Sequence, residues 1–442
     1  MVVIDQAYIQ DKFIEYCKVN TRSDDQSKEV PTTPGQIELL KMIEQELGNL
    51  GLENISFSKK DSYLVGKLPG TVRDEKVTPI GFVAHVDTAD FNAENIQPQV
   101  HHDYDGKDIL LKEGRVLSTS EFPSLKKHLG ETLITADGTT LLGADDKAGI
   151  AGLLGMLKYL KENASVKHGD IWVAFGPDEE IGKGAARFDV QRFPVEFAYT
   201  LDNGDPGDIA FETFNAAAAT INFHGTVVHP GEAYGLMINA ALMSSEFIQG
   251  LPADEVPENS KDFDGYFMVL SNNGNVDHAQ IKLIIRDFDT DGFEQKKKLV
   301  TDLVDKLNKK YGKDRVTIEL HDQYRSPGDL IKKHPYVVNL VLHAYDALGL
   351  KPKIIPFRGG TDGDFISEKG IPTPNLFNGG ANFHGPYEYV TTESMALLSR
   401  TLIEIAQQHV LLNNKRDERP LKESTKLNEF LHNKLYSKPP KH

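Results

Sequence analysis

The sequence predicts an α/β protein whose main domain carries a mixed, largely parallel sheet with flanking helices, interrupted by an inserted ferredoxin-like α+β domain. Three observations lead there. Short, fully apolar runs alternate with helical periodicity in the first half, the spacing of buried parallel strands. The middle of the chain changes texture and follows the order β-α-β-β-α-β. The α/β texture then returns and continues to about residue 412.

The elements follow in order. Ile37, Leu40, Ile43, Leu47 and Leu50 form one helical stripe over 36–50, and Gly51 ends it. IGFVAHV (80–86), IWVAF (171–175) and FAYTL (197–201) are compact enough to be buried strands, with a helix over 148–163 between the first two. In the middle, AAAATINFHG (216–225) precedes a helix over 238–251. YFMVLSNN (266–273) and HAQIKLIIRDF (278–288) are joined by a turn at Gly274 and Asn275. A helix over 293–312, with Leu299, Leu303 and Leu307 on one face, leads to RVTIELHDQY (315–324). A helix near 335–348, the strand KIIPF (353–357) and a helix over 391–412 complete the pattern. The domains are therefore 1–212 with 326–412, the insertion 213–325, and a charged tail 413–442. In the tail, Leu427, Phe430, Leu431 and Leu435 fit either a short amphipathic helix or a frayed end.

Composition removes several function classes. Among 442 residues, 49 Lys and Arg face 65 Asp and Glu, a formal net charge of −16 that repels a phosphate backbone and argues against nucleic acid. No apolar run reaches the roughly 20 residues of a spanning helix, so no membrane partner is expected. A single cysteine excludes an internal disulfide framework, and MVVIDQAYIQDKF has no signal-peptide pattern, so the expected location is the cytoplasm. Cys17 reads as a small buried hydrophobe, and His101 and His102 as part of a surface loop. Lys296–Lys298 reads as a solvated helix face. No H-E-x-x-H, G-x-S-x-G or Walker A sequence is present.

Chemistry concentrates where the apolar strands end. His85 and Asp87 lie two apart in HVDTAD and share one side of a strand. Asp145 and Asp146 occupy a glycine-flanked turn in GADDKAG. Asp178, Glu179 and Glu180 follow IWVAFGP directly, and Asp202 ends another strand. His384 lies in the glycine-rich FNGGANFHGPYEYV. Each group alone has an ordinary structural reading, such as a helix cap for the paired aspartates. Together they form a His and carboxylate set suited to Zn²⁺ or a similar ion, with enough ligands for two ions if one carboxylate bridges. Two metals suit hydrolysis, and one carboxylate must then stay free to move the proton.

HVDTAD, GADDKAG, PDEEIG, LDNG, VVHPG, FRGGTDG and NFHGPYE occur in the order seen in the M20 family of co-catalytic metallopeptidases, which residues 5–410 resemble. Within it, the forms HVDTAD and FRGGTDG are most similar to the tripeptide aminopeptidases. The resemblance implies that His85, Asp145 and Asp202 hold one divalent ion and Asp145, Glu180 and His384 the other, with Asp145 bridging. It implies Zn²⁺ at both, with Mn²⁺ or Co²⁺ as alternatives. Asp87 would orient His85, Glu179 would be the general base, and the Asp145–Asp146 bond would be cis. The insertion would be a lid and homodimerisation domain, with His229, Asn239 and Arg286 contacting substrate and Arg358 a further candidate. Asp178 or Asp362 would receive the free ammonium of a short peptide. The alternatives are another M20 amidohydrolase (dipeptidase, carboxypeptidase or N-acyl amino acid deacylase) or a non-catalytic binding protein of the same fold.

Overall fold

The computed structural model describes residues 2–74, 77–413 and 415–421. Leu427, Phe430, Leu431 and Leu435 lie outside these residues. The chain divides into two compact units. One comprises Met1–Phe211, Pro327–Ile355 and Thr361–His442 as far as described, the other Glu212–Ser326 and Pro356–Gly360. No described helix is long and apolar enough to cross a membrane.

The first unit is a mixed α/β domain. Its eight-stranded sheet runs Glu53–Phe57, Leu64–Leu68, Ile171–Gly176, Ile80–His85, Phe197–Asn203, Asn375–Phe377, Asp208–Ala210, Lys353–Ile354. The four strands from Ile171–Gly176 to Asn375–Phe377 are mutually parallel. Ile80–His85 and Ile171–Gly176 are buried at every position, the signature of strands covered on both faces. The covering layer includes Gln6–Cys17, Ala144–Glu162 and Thr392–Leu412, whose Phe13, Leu153 and Leu402 join the core with Phe82 and Phe175. Cys17 is buried, as its helical pattern implies.

Small residues set how closely these helices approach. A Cβ on Gly155 would lie 2.5 Å from Ser399 Oγ and 2.6 Å from Ile9 Cδ1, so only glycine fits where Ala144–Glu162 meets its neighbours. Gly155→Val should therefore destabilise the first unit by about 1–3 kcal/mol through overpacking, read as a lower urea midpoint. An unchanged midpoint would mean that the helices separate freely there.

A second, four-stranded antiparallel sheet in this unit joins Gly380–Ala381, Tyr389–Thr391, Leu133–Thr135 and Gln99–His101. None of these strands is visible as an apolar run, because each has only two or three residues. His101 is corrected accordingly: it ends a strand, half-buried, with Nε2 3.1 Å from Thr135 Oγ1.

The second unit holds one antiparallel sheet, in the order Tyr266–Gly274, His278–Asp287, Asn215–His224, Val316–Tyr324. Ala217, Ala219, Ile221 and Phe223 alternate inward and pack with Phe247 of Ala240–Gln249 and Leu303 and Leu307 of Thr290–Tyr311. Lys296 and Lys297 depart from a solvated face. Lys296 contacts Glu255 and Asp287 over the Phe267 ring, and Lys297 lies 2.9 Å from Asp322 over Phe293. Only Lys298 points fully outward, paired with Asp302. Where the sequence suggests a strand over 353–357 within the main domain, only Lys353–Ile354 is strand, and Pro356–Gly360 clusters with the second unit.

Candidate metal centre

The four parallel strands of the first unit deliver side chains to one sheet edge, the carboxyl ends where α/β proteins gather ligands. His85 is the last residue of its strand, Glu179 and Glu180 follow Gly176, and Asp202 is the penultimate residue of Phe197–Asn203. Asp145 comes from the start of Ala144–Glu162, where Asp145 and Asp146 keep non-helical backbone angles and are joined by a cis bond. The helix begins four residues before the apolar pattern does, so the acidic pair is part of its first turn. His384 lies on the connection between Gly380–Ala381 and Tyr389–Thr391, in the left-handed region at φ 65°.

These residues meet. His85 Nε2 is 2.8 Å from Asp145 Oδ1 and 3.6 Å from Asp202 Oδ1. His384 Nε2 is 3.0 Å from Asp145 Oδ2 and 3.1 Å from Glu180 Oε2. The two Asp145 oxygens thus face different histidines, as a bridging carboxylate requires. Ligand atoms of His85, Asp145 and Glu180 lie within 4.8 Å of one another, and so do those of His85, Glu179 and Asp202. The second grouping includes Glu179 rather than Asp145.

The charges are poorly balanced without a cation. Burial and the neighbouring Asp145 raise Asp202 well above the carboxylate range, and burial with Asp202 does the same to Glu179. Burial and Asp145 push Glu180 up to about 7. Burial lowers the affinity of His85 for a proton, but Asp145, Asp202 and Asp87 override it and raise the imidazole well above its usual value. Contacts with Asp145 and Glu180 raise His384 to about 10. Glu180 Oε1 is buried without a hydrogen-bond partner among the described residues. An unpartnered carboxylate oxygen among histidines and acids fits a divalent ion, since a buried charge otherwise needs compensation. The residues present can hold two divalent ions.

Three groups hold these side chains in place. Asp87 accepts the Glu179 N–H at Oδ1 (3.0 Å) and the Glu180 N–H at Oδ2 (3.2 Å), while its Oδ1 lies 3.3 Å from His85 Nδ1. One carboxylate therefore orients the imidazole and fixes the acidic turn. Asn375 clasps Asp202, accepting its N–H at 2.9 Å and donating to its carbonyl at 2.7 Å. Glu388, buried, accepts the N–H groups of Leu142, Gly143 and Asp145. Sequence reasoning missed Asn375 and Glu388, although both lie in or beside segments it singled out.

Asp178 does not face the ligands. Thr32 and Gln36 satisfy its carboxylate, and its own N–H donates to Gln36 Oε1, so it anchors the segment before Pro34–Asn49. Asp362 pairs with Tyr63, whose hydroxyl donates at 2.8 Å; burial pushes it up to about 6.

The other sequence candidates belong to the second unit. His229 is exposed, with Nδ1 accepting the Gly231 N–H. Asn239 caps Ala240–Gln249 through Oδ1. Among the described residues, Arg286 donates to the carbonyls of Ala217 and Ile285 and lies over Tyr324. Arg358 donates to the carbonyls of Asp262 and Asp264 and stacks on Phe214 and Tyr266. In the same segment, a Cβ on Gly360 would meet the Tyr324 ring at 2.7 Å, which accounts for one of the paired glycines.

Comparison with known proteins agrees with this geometry. Residues 137–408 match peptidase family M20/M25/M40. A curated relative from Fusobacterium nucleatum, named peptidase T, is 50% identical over 401 residues, covering 90% of this chain and 97% of its own length. The crystal structure of aminopeptidase PepT from Bacillus cereus superposes with a TM-score of 0.74 at 24% identity, over 92% of this chain and 99% of that one. A tripeptidase from Staphylococcus aureus superposes with a TM-score of 0.73 at 20% identity, over 93% and 100%. These two structures establish the shared fold, and the sequence matches establish the kinship. By these sequence matches the chain belongs to peptidase family M20/M25/M40.

Proposed function

We propose that this protein is a metal-dependent aminopeptidase that releases the N-terminal residue of short peptides, tripeptides foremost. The observation that carries the reading is Asp145, whose two oxygens face His85 and His384 separately. His85, Asp145 and Asp202 would hold one ion and Asp145, Glu180 and His384 the other, with Zn²⁺, Mn²⁺ or Co²⁺ compatible with this donor set. Such ions, when bound, polarise a peptide carbonyl and lower the pKa of water. Glu179 takes the proton from the attacking water and returns it to the leaving amine, a task that needs a carboxylate free of ligation. Asp87 holds the backbone N–H of Glu179 and so steadies the turn that carries it.

The curated relatives named peptidase T, the Bacillus cereus aminopeptidase and the Staphylococcus aureus tripeptidase support the substrate class. The second unit reads as a ferredoxin-like lid and homodimerisation domain; its strand order and the two helices packed on its sheet support the ferredoxin-like part of that reading. Arg286 and Arg358, each donating to backbone carbonyls and neither with a carboxylate partner among the described residues, are the candidates to clamp the terminal carboxylate of the peptide. His229 Nε2 and Asn239 Nδ2 remain for other polar atoms of the substrate. Asp362 is the remaining acid for the free ammonium, because Asp178 is satisfied within the fold. The acidic balance and single cysteine suit a cytoplasmic enzyme.

The test is hydrolysis of matched di-, tri- and tetrapeptides, free, N-acetylated and C-amidated, with Zn²⁺, Mn²⁺ or Co²⁺ added. Free tripeptides should be cleaved fastest, with release of the first residue. N-acetyl tripeptides cleaved as fast as free ones would replace the aminopeptidase reading with that of a deacylase.

A further inference from the structure

We propose that Glu388 is a positioning residue for the metal centre, setting the backbone of Asp145 from the same loop that carries His384. This rests on the metal-centre reading above. The helix Ala144–Glu162 begins after Gly143, which has no side chain with which to cap it. Glu388 supplies the missing acceptor from 243 positions along the chain. Its Oε2 receives the Leu142 and Gly143 N–H groups, each at 2.8 Å, and its Oε1 receives the Asp145 N–H at 3.0 Å. The side chain is 1% exposed, so water does not compete for these bonds.

The consequence is geometric. Asp145 keeps a non-helical backbone at the head of a helix, and the bond from its own N–H to Glu388 fixes that backbone. Its carboxylate is thereby aimed at His85 and His384 together. Glu388 and His384 lie on one short connection, braced by Asn382 Nδ2 donating to the Tyr387 carbonyl at 3.1 Å. A shift of that loop would move one ligand directly and another through Glu388. Support of this kind commonly sets metal affinity as strongly as it sets stability.

The experiment measures Zn²⁺ affinity of the full chain by competition with a chromophoric chelator, beside thermal unfolding of the metal-free protein. Glu388→Gln, which keeps the shape but loses one accepting oxygen, should weaken Zn²⁺ binding about 10–100-fold. Gly155→Val lies on the same helix away from the ligands. It should lower thermal stability and leave Zn²⁺ affinity unchanged. Glu388→Asp, which keeps the charge but draws it back by one methylene, is the second variant and should also bind more weakly. Unchanged affinity in a folded Glu388 variant overturns the assignment, as does equal weakening in Gly155→Val. Wild-type protein that binds no Zn²⁺, Mn²⁺ or Co²⁺ would instead overturn the metal-centre reading itself.

Discussion

Replacing Glu179 with Gln should reduce turnover of a free tripeptide by about 10²–10⁴-fold, the usual share of a general base, while leaving the bound metal intact. Glu179 and Glu180 are adjacent in sequence, and Asp87 holds both backbone N–H groups. The turn nevertheless sends their side chains to different places: Glu180 reaches His384 at 3.1 Å, and Glu179 groups with His85 and Asp202. That second grouping makes ligation by Glu179 the competing role. An amide in its place accepts no proton, yet it preserves the size and hydrogen bonding of the turn. Metal analysis by mass spectrometry, run beside the kinetics, separates the two roles. Two ions retained with turnover lost identifies the base, and one ion lost identifies a ligand.

Asp145→Ala should have the larger effect on the centre, removing both ions on dialysis and bringing hydrolysis to background. A carboxylate bridging two sites contributes to each, so its loss leaves two histidines with no shared anion between them. Glu180→Ala, by contrast, should release one ion, because Glu180 reaches His384 and is proposed to hold only the ion that these two share with Asp145. The order of metal loss across the two variants is the measurement. Asp145→Ala protein that retains two ions after dialysis would rule out the bridge.

The parallel core was legible because Ile80–His85 and Ile171–Gly176 are apolar throughout, a pattern that surface strands do not sustain. The candidate ligands stood out for a related reason: acids placed directly after buried strands need an explanation beyond solvation. The supports were harder to read. Glu388 and Asn375 act on backbone groups of residues far away in sequence, and no local spacing marks such a bond. The sheet that presents His384 is built from strands too short to show alternation. Asp178 looked like its two neighbours by type, but its backbone at φ 55° turns it toward Thr32 and Gln36. Lys296 and Lys297 misled because a run of lysines suggests solvent, whereas long stems can cover aromatic rings while their heads find acids.

The placement of Asn375–Phe377 between Phe197–Asn203 and Asp208–Ala210 bears on how the chain assembles. Those outer strands leave the ribosome well over a hundred residues before the one that separates them. Until it arrives, the sheet has a gap with two unpaired edges, and exposed edges invite pairing with other chains. Most of the second unit, Glu212–Ser326, is by then already synthesised as one contiguous stretch. The nascent first unit must therefore wait, half-finished, for a late segment that both zips the sheet and brings His384 and Glu388. Slow or interrupted translation beyond residue 330 would thus prolong its most aggregation-prone state.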